Sequence, residues 1–154
     1  MKQILMIMGG LVLTIMVHAQ QLTKTETQNR NFTGAVATKK QYRVIYQMDS
    51  GDPKIIEKVI RNLNNALNDP RLKGKLQAEL VAFSGGTDAY LKGSKYEESL
   101  KSLVEKGVIV AQCANTLRER NIEREKIYDF IGIVPSGNGE LILRQAEGWS
   151  VIKP

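Results

Sequence analysis

The sequence predicts an α/β protein in which an open, mostly parallel sheet of about five strands lies between two layers of helices. Apolar runs of strand length alternate along the chain with amphipathic stretches of helix length. The apolar runs are continuous rather than alternating, as expected of strands that are buried on both faces. Turn residues such as Gly, Pro, Ser and Asp separate most of these elements. Together these features predict a three-layer α/β/α domain.

The regular pattern begins at Tyr42. Continuous apolar runs predict strands, and these are residues 42–48, 76–83, 108–112, 130–134 and 149–152. Apolar residues at helical spacing predict helices between them, at residues 54–68, 94–106, 114–120 and 140–147. Asp69-Pro70 is expected to end the first of these helices and Gly107 the second. Ser94 and Glu97 have the spacing of a capping box, which predicts the start of the second helix.

The N-terminus has the features of a secretory signal peptide. Met1 and Lys2 precede an apolar run from Ile4 to Val17, and Val17-His18-Ala19 supplies small residues for cleavage. The run is shorter than the roughly 20 residues that a membrane-spanning helix needs. Residues 1–19 are therefore predicted to be a cleaved signal, with a periplasmic or otherwise secreted protein as its product. An uncleaved anchor is the alternative, and no membrane contact is expected once the signal has been removed.

Two further segments follow the predicted cleavage site. Residues 20–41 are polar, rich in Thr, Gln and Asn, and lack apolar periodicity, so we interpret them as a flexible leader. Residues 20–154 are enough for one domain with its own hydrophobic core and too few for two, and residues 42–154 are predicted to form that domain. The single cysteine, Cys113, cannot form an intramolecular disulfide, so this core must stabilise the domain alone.

The charge pattern limits the expected partners. The chain has a formal net charge of +6, and its basic residues are spread along the sequence without interleaved aromatic residues. With a secretion signal, this pattern argues against a nucleic-acid partner and indicates a mildly basic surface that attracts anions. Residues 20–154 contain no histidine, which excludes Ser–His or Cys–His catalysis and zinc sites of the usual Cys/His kind. No phosphate-binding glycine loop follows any predicted strand, and neither a metal nor a cofactor is expected.

Four predicted strands end in small or polar residues, and these ends are expected to meet at one edge of the sheet. Glycines there would let backbone N–H groups approach a ligand. The alternative is that these segments are only tight turns between strands and helices. The candidate substrate-binding residues are Asp49, Ser50, Ser84, Gly85, Asn115, Ser136 and Gly137.

Cys113 is the candidate catalytic residue. It follows the apolar run Val108–Gln112 and precedes a predicted helix, whose N-terminus would favour a thiolate. A thiolate can attack sulfur or carry it as a persulfide. The alternative is a buried structural cysteine, since free cysteine is among the most buried residue types. A hydrolase using Asp49 or Asp52 is a weaker option, because two acidic residues in a turn more often cap a helix.

The chain resembles the DsrE/DsrF-like family, also called YchN-like, over residues 42–154. The motifs that carry the resemblance are Asn62-Leu63-Asn64-Asn65, Leu80-Val81-Ala82-Phe83, residues 107–117, residues 134–145 and residues 148–154. The resemblance implies a three-layer α/β/α subunit that assembles into oligomers, often trimers or hexamers. In the sulfur-transferring members a cysteine takes up a persulfide and passes it on, and Cys113 stands at the place of that cysteine.

The residues and the resemblance together lead to two hypotheses. The first is a secreted sulfur carrier or transferase that uses Cys113, with a sulfur donor and an acceptor that the sequence does not identify. With no second cysteine, another molecule must resolve any persulfide or disulfide formed on Cys113. The second hypothesis is a non-catalytic oligomeric binding module in which Cys113 is structural.

Overall fold

The computed structural model describes residues 21–154. The predicted signal peptide lies outside the described residues. The chain divides into two compact units between Ala35 and Val36, and each is described here by itself.

The described part of the first unit contains one helix, α1 (Lys24–Arg30). Its N-terminus is fixed by a capping box: the Thr23 hydroxyl accepts from the backbone N–H of Glu26 at 3.2 Å, and the Glu26 carboxylate accepts from the N–H of Thr23 at 2.7 Å. No residue of α1 is buried. The leader has no apolar stripe, so its sequence predicts no helix, and the capping box is the only signal of α1.

The second unit is built on a five-stranded parallel sheet, as the sequence predicts. The strands are β1 (Tyr42–Met48), β2 (Leu76–Ala82), β3 (Ile109–Cys113), β4 (Gly132–Val134) and β5 (Ser150–Ile152). Their order across the sheet is β4-β3-β2-β1-β5. Since all strands are parallel, their carboxyl ends lie along a single edge, and β3 lies two strands from β1.

Four helices connect the strands. They are α2 (Pro53–Asn68), α3 (Glu97–Glu105), α4 (Ala114–Glu119) and α5 (Gly137–Ala146). Two 3-10 helices, Ser84–Tyr90 and Arg124–Lys126, were not predicted. Successive strands from β1 to β4 step in one direction and β5 returns to the far side of β1. Right-handed crossovers therefore place α2, α3 and α4 on one face of the sheet and α5 on the other.

The two faces of the sheet bury separate apolar clusters. The larger cluster joins α2, α3 and α4 to alternate residues of β1, β2 and β3, including Met48 and Leu80. The smaller one contains Ile45, Val81 and Trp149, with Leu141 of α5 packed against it. Adjacent residues of β1 and β2 thus point into different clusters. This is why the strands read as continuous apolar runs, and the three-layer prediction is confirmed.

Capping groups explain where the helices begin. The Asp52 side chain accepts from the N–H of Lys54 at 2.8 Å at the start of α2. The Ser136 hydroxyl accepts from Gly139 at 3.2 Å, so α5 begins three residues before the predicted start. The predicted Ser94 capping box is not formed, because the Ser94 hydroxyl donates to the carbonyl of Ala89 at 2.7 Å and α3 begins only at Glu97.

Candidate functional site

Cys113 is both the last residue of β3 and the N-cap of α4. Its Sγ accepts the backbone N–H of Thr116 at 3.5 Å, so the sulfur itself caps the helix. The residue is buried, with 4% of its surface exposed. A thiol has therefore been placed where hydroxyl or carboxylate side chains usually satisfy the first N–H groups of a helix.

Backbone N–H groups from two helix starts converge on the Cys113 sulfur. Burial raises the pKa of the thiol, but hydrogen bonds from the backbone N–H of Thr116, Gly137 and Asn115 and from the Thr116 side chain outweigh it. The net pKa of Cys113 is lowered. Asn115 and Thr116 belong to the first turn of α4, whereas Gly137 is the first residue of α5. Both helices therefore stabilise negative charge on the sulfur.

Thr116 is a site residue that is not among those predicted from the sequence. Its hydroxyl oxygen accepts the backbone N–H of Ser84 at 3.0 Å and its side chain also hydrogen-bonds to the thiol. The hydroxyl thus connects the loop after β2 to the sulfur. Its position three residues after Cys113 was the available signal, because the N3 residue of a capped helix lies beside the capping group.

Gln112 is a second residue near the thiol that is not among those predicted from the sequence. Its side chain is fully buried, and its Nε2 donates at 3.0 Å both to the Thr87 hydroxyl and to the carbonyl of Cys113. The Gln112 side chain lies on the face of β3 opposite the Cys113 side chain, and these two bonds hold the end of the strand in place from that face. A polar residue within the apolar run of β3 was the signal in the sequence.

The loops after β1 and β2 are packed against each other, as predicted. The N–H of Gly85 donates to the carbonyl of Asp49 at 3.1 Å. A Cβ atom on residue 85 would lie only 2.5 Å from the backbone nitrogen of Gly51, so this approach requires glycine. Gly85 therefore supports the edge of the site by allowing two loops to touch.

The side chains of Asp49 and Ser50 face other partners. The Asp49 carboxylate pairs with Lys153 at 2.6 Å and accepts from Gln47 at 3.1 Å. Partial burial raises its pKa, but these two hydrogen bonds outweigh that effect and the net pKa is lowered. The Ser50 hydroxyl accepts from Asp52 at 3.1 Å. With β1 about 10 Å from β3, two strand spacings away, neither side chain is placed at the thiol.

The remaining predicted residues lie around Cys113. The Asn115 side chain accepts a hydrogen bond from Arg118, while its N–H points to the sulfur. Ser136 caps α5, which orients the N–H of Gly137 toward the thiol. Ser84 is exposed and lies across from Thr116. The structure thus brings Ser84, Asn115, Ser136 and Gly137 to Cys113.

Ser84 has a left-handed backbone conformation, with φ of 49°. Such a conformation is uncommon in residues other than glycine and needs support from its surroundings. Arg120 supplies that support, since its guanidinium donates to the carbonyl of Ser84 at 2.9 Å and pairs with Asp88 at 2.6 Å. The end of α4 therefore fixes the loop whose N–H reaches Thr116.

An open groove of about 790 Å³ lies beside the thiol rather than over it. It runs along α4, with Leu117, Ile122 and Ile133 among its apolar lining residues and Arg118 among its polar ones.

Within residues 21–154 no group of acidic, His or Cys side chains is arranged to hold a metal ion. No helix in that same range is long and apolar enough to cross a membrane.

Comparison with known proteins places this architecture in a family. The family model described as the DsrE/DsrF-like family matches residues 58–154. The chain belongs to the DsrE/DsrF-like family. A solved structure of a protein of unknown function from Methanobacterium thermoautotrophicum is 31% identical, with a TM-score of 0.70, and the match covers 74% of this chain and 100% of that one. The resemblance stated from the sequence is confirmed.

Two other solved structures share the DsrE/DsrF-like fold at lower identity. YchN from E. coli is 19% identical with a TM-score of 0.61, over 74% of this chain and 99% of that one. A conserved protein of unknown function from Bacteroides thetaiotaomicron is 9% identical with a TM-score of 0.59, over 79% and 100%. At these identities the likeness concerns the fold alone. No curated protein matches the chain significantly.

Proposed function

We propose that this DsrE/DsrF-like protein is a sulfur carrier or sulfurtransferase in which Cys113 holds a persulfide. The observation that carries the proposal is the position of the Cys113 sulfur as the N-cap of α4, where it accepts the N–H of Thr116 at 3.5 Å. There the pKa of the thiol is lowered, with the N–H groups of Asn115 and Gly137 adding to the effect. Thiolate is the form that attacks sulfur. The same donors would stabilise the Cys113 thiolate as the leaving group when its outer sulfur is transferred to an acceptor.

The proposed reaction has two exchange steps. The Cys113 thiolate attacks the outer sulfur of a donor persulfide, which forms a new S–S bond, breaks the donor's S–S bond and releases the donor as a thiolate. An acceptor thiolate then attacks the outer sulfur of the Cys113 persulfide and receives it, which regenerates the Cys113 thiolate. No net oxidant or reductant is needed. The sequence has no second cysteine, so both partners are other molecules.

The residues around Cys113 have distinct roles in this proposal. Ser84, Asn115 and Ser136 lie around the sulfur and would contact a sulfur donor there, and Thr116 connects the loop after β2 to the sulfur. Gly137 supplies an N–H from the start of α5. Asp49 and Ser50 take no part near the sulfur, because their side chains have partners at the end of β1. Gly85 contributes by its close packing alone.

Mass spectrometry of the protein after incubation with polysulfide tests the proposal. We expect one or more added sulfur atoms on Cys113 that a reductant removes, and no addition to Cys113→Ser. Transfer of the added sulfur to a small thiol acceptor should restore the original mass. Absence of added sulfur, or equal labelling of Cys113→Ser, would overturn the proposal.

The competing function is a non-catalytic binding module in which Cys113 is structural, and the burial of the residue is the observation that favours it. Alkylation of the native protein separates the two functions. A carrier should be alkylated at a rate that follows the thiolate fraction and saturates below the ordinary pKa of cysteine. A structural thiol should react only as fast as the protein unfolds, which a denaturant series would reveal.

The cellular setting and assembly belong to the same proposal. The N-terminal sequence supports secretion, with residues 1–19 removed and the carrier acting in the periplasm or outside the cell.

The apolar residues Ile142 and Leu143 of α5 are 67% and 61% exposed, which supports a homo-oligomer such as a trimer or hexamer. Light scattering should then give a mass several times that of one chain, and Ile142→Glu should reduce it. A monomeric wild-type protein would contradict the assembly.

A further inference from the structure

The end of the sheet opposite Cys113 carries a cluster of exposed lysines, Lys39, Lys40, Lys73 and Lys75. Pairing of β1 with β2 brings them together, because Tyr42 lies in register with Leu76 and its N–H donates to the carbonyl of Lys75 at 2.8 Å. The N–H of Lys39 donates to the Tyr42 hydroxyl at 2.9 Å. Hydrogen bonds of the Lys39 and Lys75 backbones to Tyr42 thus hold the two parts of the cluster together.

The charges of this lysine cluster are uncompensated within the described part of the chain. None of the four side chains takes part in a described ion pair or hydrogen bond there, unlike Lys92, Lys95, Lys101 and Lys153. The neighbouring acid, Asp69, is occupied by Arg71, which contacts both of its oxygens at 3.0 and 2.7 Å. These contacts lower the pKa of Asp69 to about 2.

Two features identify the kind of surface that the cluster fits. Val36, the first residue of the second unit, is 82% exposed, so an apolar side chain stands close in sequence to Lys39 and Lys40. Exposed apolar and basic groups in one segment are typical of proteins that lie on anionic membranes. The chain also enters the second unit here, so an uncleaved N-terminal anchor, the alternative to signal removal, would be joined to this end.

We propose that the lysine cluster docks the domain on a membrane surface rich in anionic phospholipid headgroups. Strands β1 and β2 are each seven residues long, so the lysine cluster lies about 20 Å from the loops around Cys113. Docking by the lysine cluster leaves the thiol edge facing solution, where soluble partners can reach it. Membrane docking is separate from the sulfur chemistry, and it contrasts with the expectation that the processed protein has no membrane contact.

Vesicle co-sedimentation of the full chain tests the docking surface. Binding to vesicles that contain phosphatidylglycerol is compared with binding to vesicles of phosphatidylcholine alone. The apolar N-terminal run contributes to binding in both cases, so the difference in affinity reports the effect of lipid charge. We expect preferential binding to the anionic vesicles that weakens with salt. Each lysine is expected to contribute about fivefold to affinity, so Lys73→Gln with Lys75→Gln should weaken binding about 25-fold.

Lys54→Gln with Lys58→Gln is the matched control, since it removes the same charge from α2 and should change binding by less than about twofold. An equal loss in both double variants would overturn the proposal, because net charge alone would then explain binding. Equal binding of wild type to both kinds of vesicle would overturn it as well. So would retention on an anionic polysaccharide without any binding to the anionic vesicles. None of these results depends on whether Cys113 carries sulfur.

Discussion

Gly137 and Phe83 are in such close contact that a Cβ atom on residue 137 would lie 2.6 Å from Cδ1 of the Phe83 ring. The first residue of α5 therefore has to be glycine for the helix to start where it does. That start directs the N–H of Gly137 to the Cys113 sulfur. The packing of a half-buried aromatic residue after β2 thus controls one of the donors that lower the pKa of the thiol.

Replacement of Gly137 by alanine should raise the pKa of Cys113. The added methyl group would also lie 3.2 Å from Cβ of Phe83, so rotation of the ring alone does not relieve the overlap. The start of α5 therefore has to move, which withdraws the N–H of residue 137 from the sulfur. Overpacking of this kind costs about 1–3 kcal/mol in the free energy of unfolding. The thiol pKa, measured from the ultraviolet absorbance of the thiolate against pH, checks the first effect, and chemical denaturation checks the second.

Gly132→Ala is the control for this substitution. A Cβ atom on residue 132 would lie 3.5 Å from the carbonyl oxygen of Val110, which is an ordinary contact. We expect the pKa of Cys113 to stay at its wild-type value in this variant. A raised pKa in Gly132→Ala, or an unchanged one in Gly137→Ala, would disagree with the role given to α5.

Thr116→Val should also raise the pKa of Cys113 and slow its alkylation at neutral pH. Valine keeps the shape of threonine but removes the hydroxyl that hydrogen-bonds to the sulfur and accepts the N–H of Ser84. Thr116→Ser retains the hydroxyl and should keep the pKa close to that of the wild type. If valine and serine behave alike, the hydroxyl has no influence on the thiol.

Arg144→Met should destabilise the domain by about 3 kcal/mol, because it leaves a buried carboxylate without its partner. The Arg144 Nε lies 2.7 Å from Glu79 and 2.9 Å from Glu140, and the Glu79 side chain is 1% exposed. Burial raises the pKa of Glu79, Arg144 opposes this effect, and Glu140 adds to it. The midpoint and slope of urea denaturation measure the loss.

The pH dependence of the Arg144→Met variant provides an independent check. Because the pKa of Glu79 is raised in the folded state, the neutral carboxyl favours folding at low pH, and this contribution is lost as pH rises through the folded pKa. The loss in the free energy of unfolding of Arg144→Met relative to wild type should therefore grow from acidic to neutral pH. Adding Glu79→Gln should recover most of the lost stability. A deficit that is constant with pH would point to lost packing of Arg144 on Trp149 instead.

Cys113 should make the stability of the domain depend on pH in the opposite direction. Its pKa is lowered in the folded state, so ionisation favours folding above the unfolded pKa, about 8.5, and this contribution is lost as pH falls through the folded pKa. The stability of wild type relative to Cys113→Ser should therefore increase with pH across that window. Denaturation of both proteins at several pH values measures it, and parallel curves would contradict the lowered pKa.

Much of the fold was predictable because strand and helix patterns depend on local residue order. The apolar stripe of α2 and the continuous run of β1 each identified an element whose bounds agree closely with the structure. The 3-10 helix at Ser84–Tyr90 was not predictable, since its conformation depends on contacts from Thr116 and Arg120, more than 30 residues away.

The candidate site was predictable only in part, for the same reason. The position of Cys113 between β3 and α4 followed from the local pattern, and parallel strands placed the loops after them on one edge. Side-chain direction did not follow from position: the Asp49 carboxylate pairs with Lys153, which is distant in the sequence. The need for glycine at residue 137 likewise depends on where Phe83 packs.

The pKa of the Cys113 thiol in the folded protein is the measurement that tests this account most directly. The ultraviolet absorbance of the thiolate, recorded against pH for wild type and corrected with Cys113→Ser, reports it without requiring a reagent to enter the site. We predict a pKa below that of an ordinary cysteine thiol, because donors from α4 and α5 outweigh the effect of burial. A pKa at or above the ordinary value would contradict the account and leave Cys113 as a packed core residue.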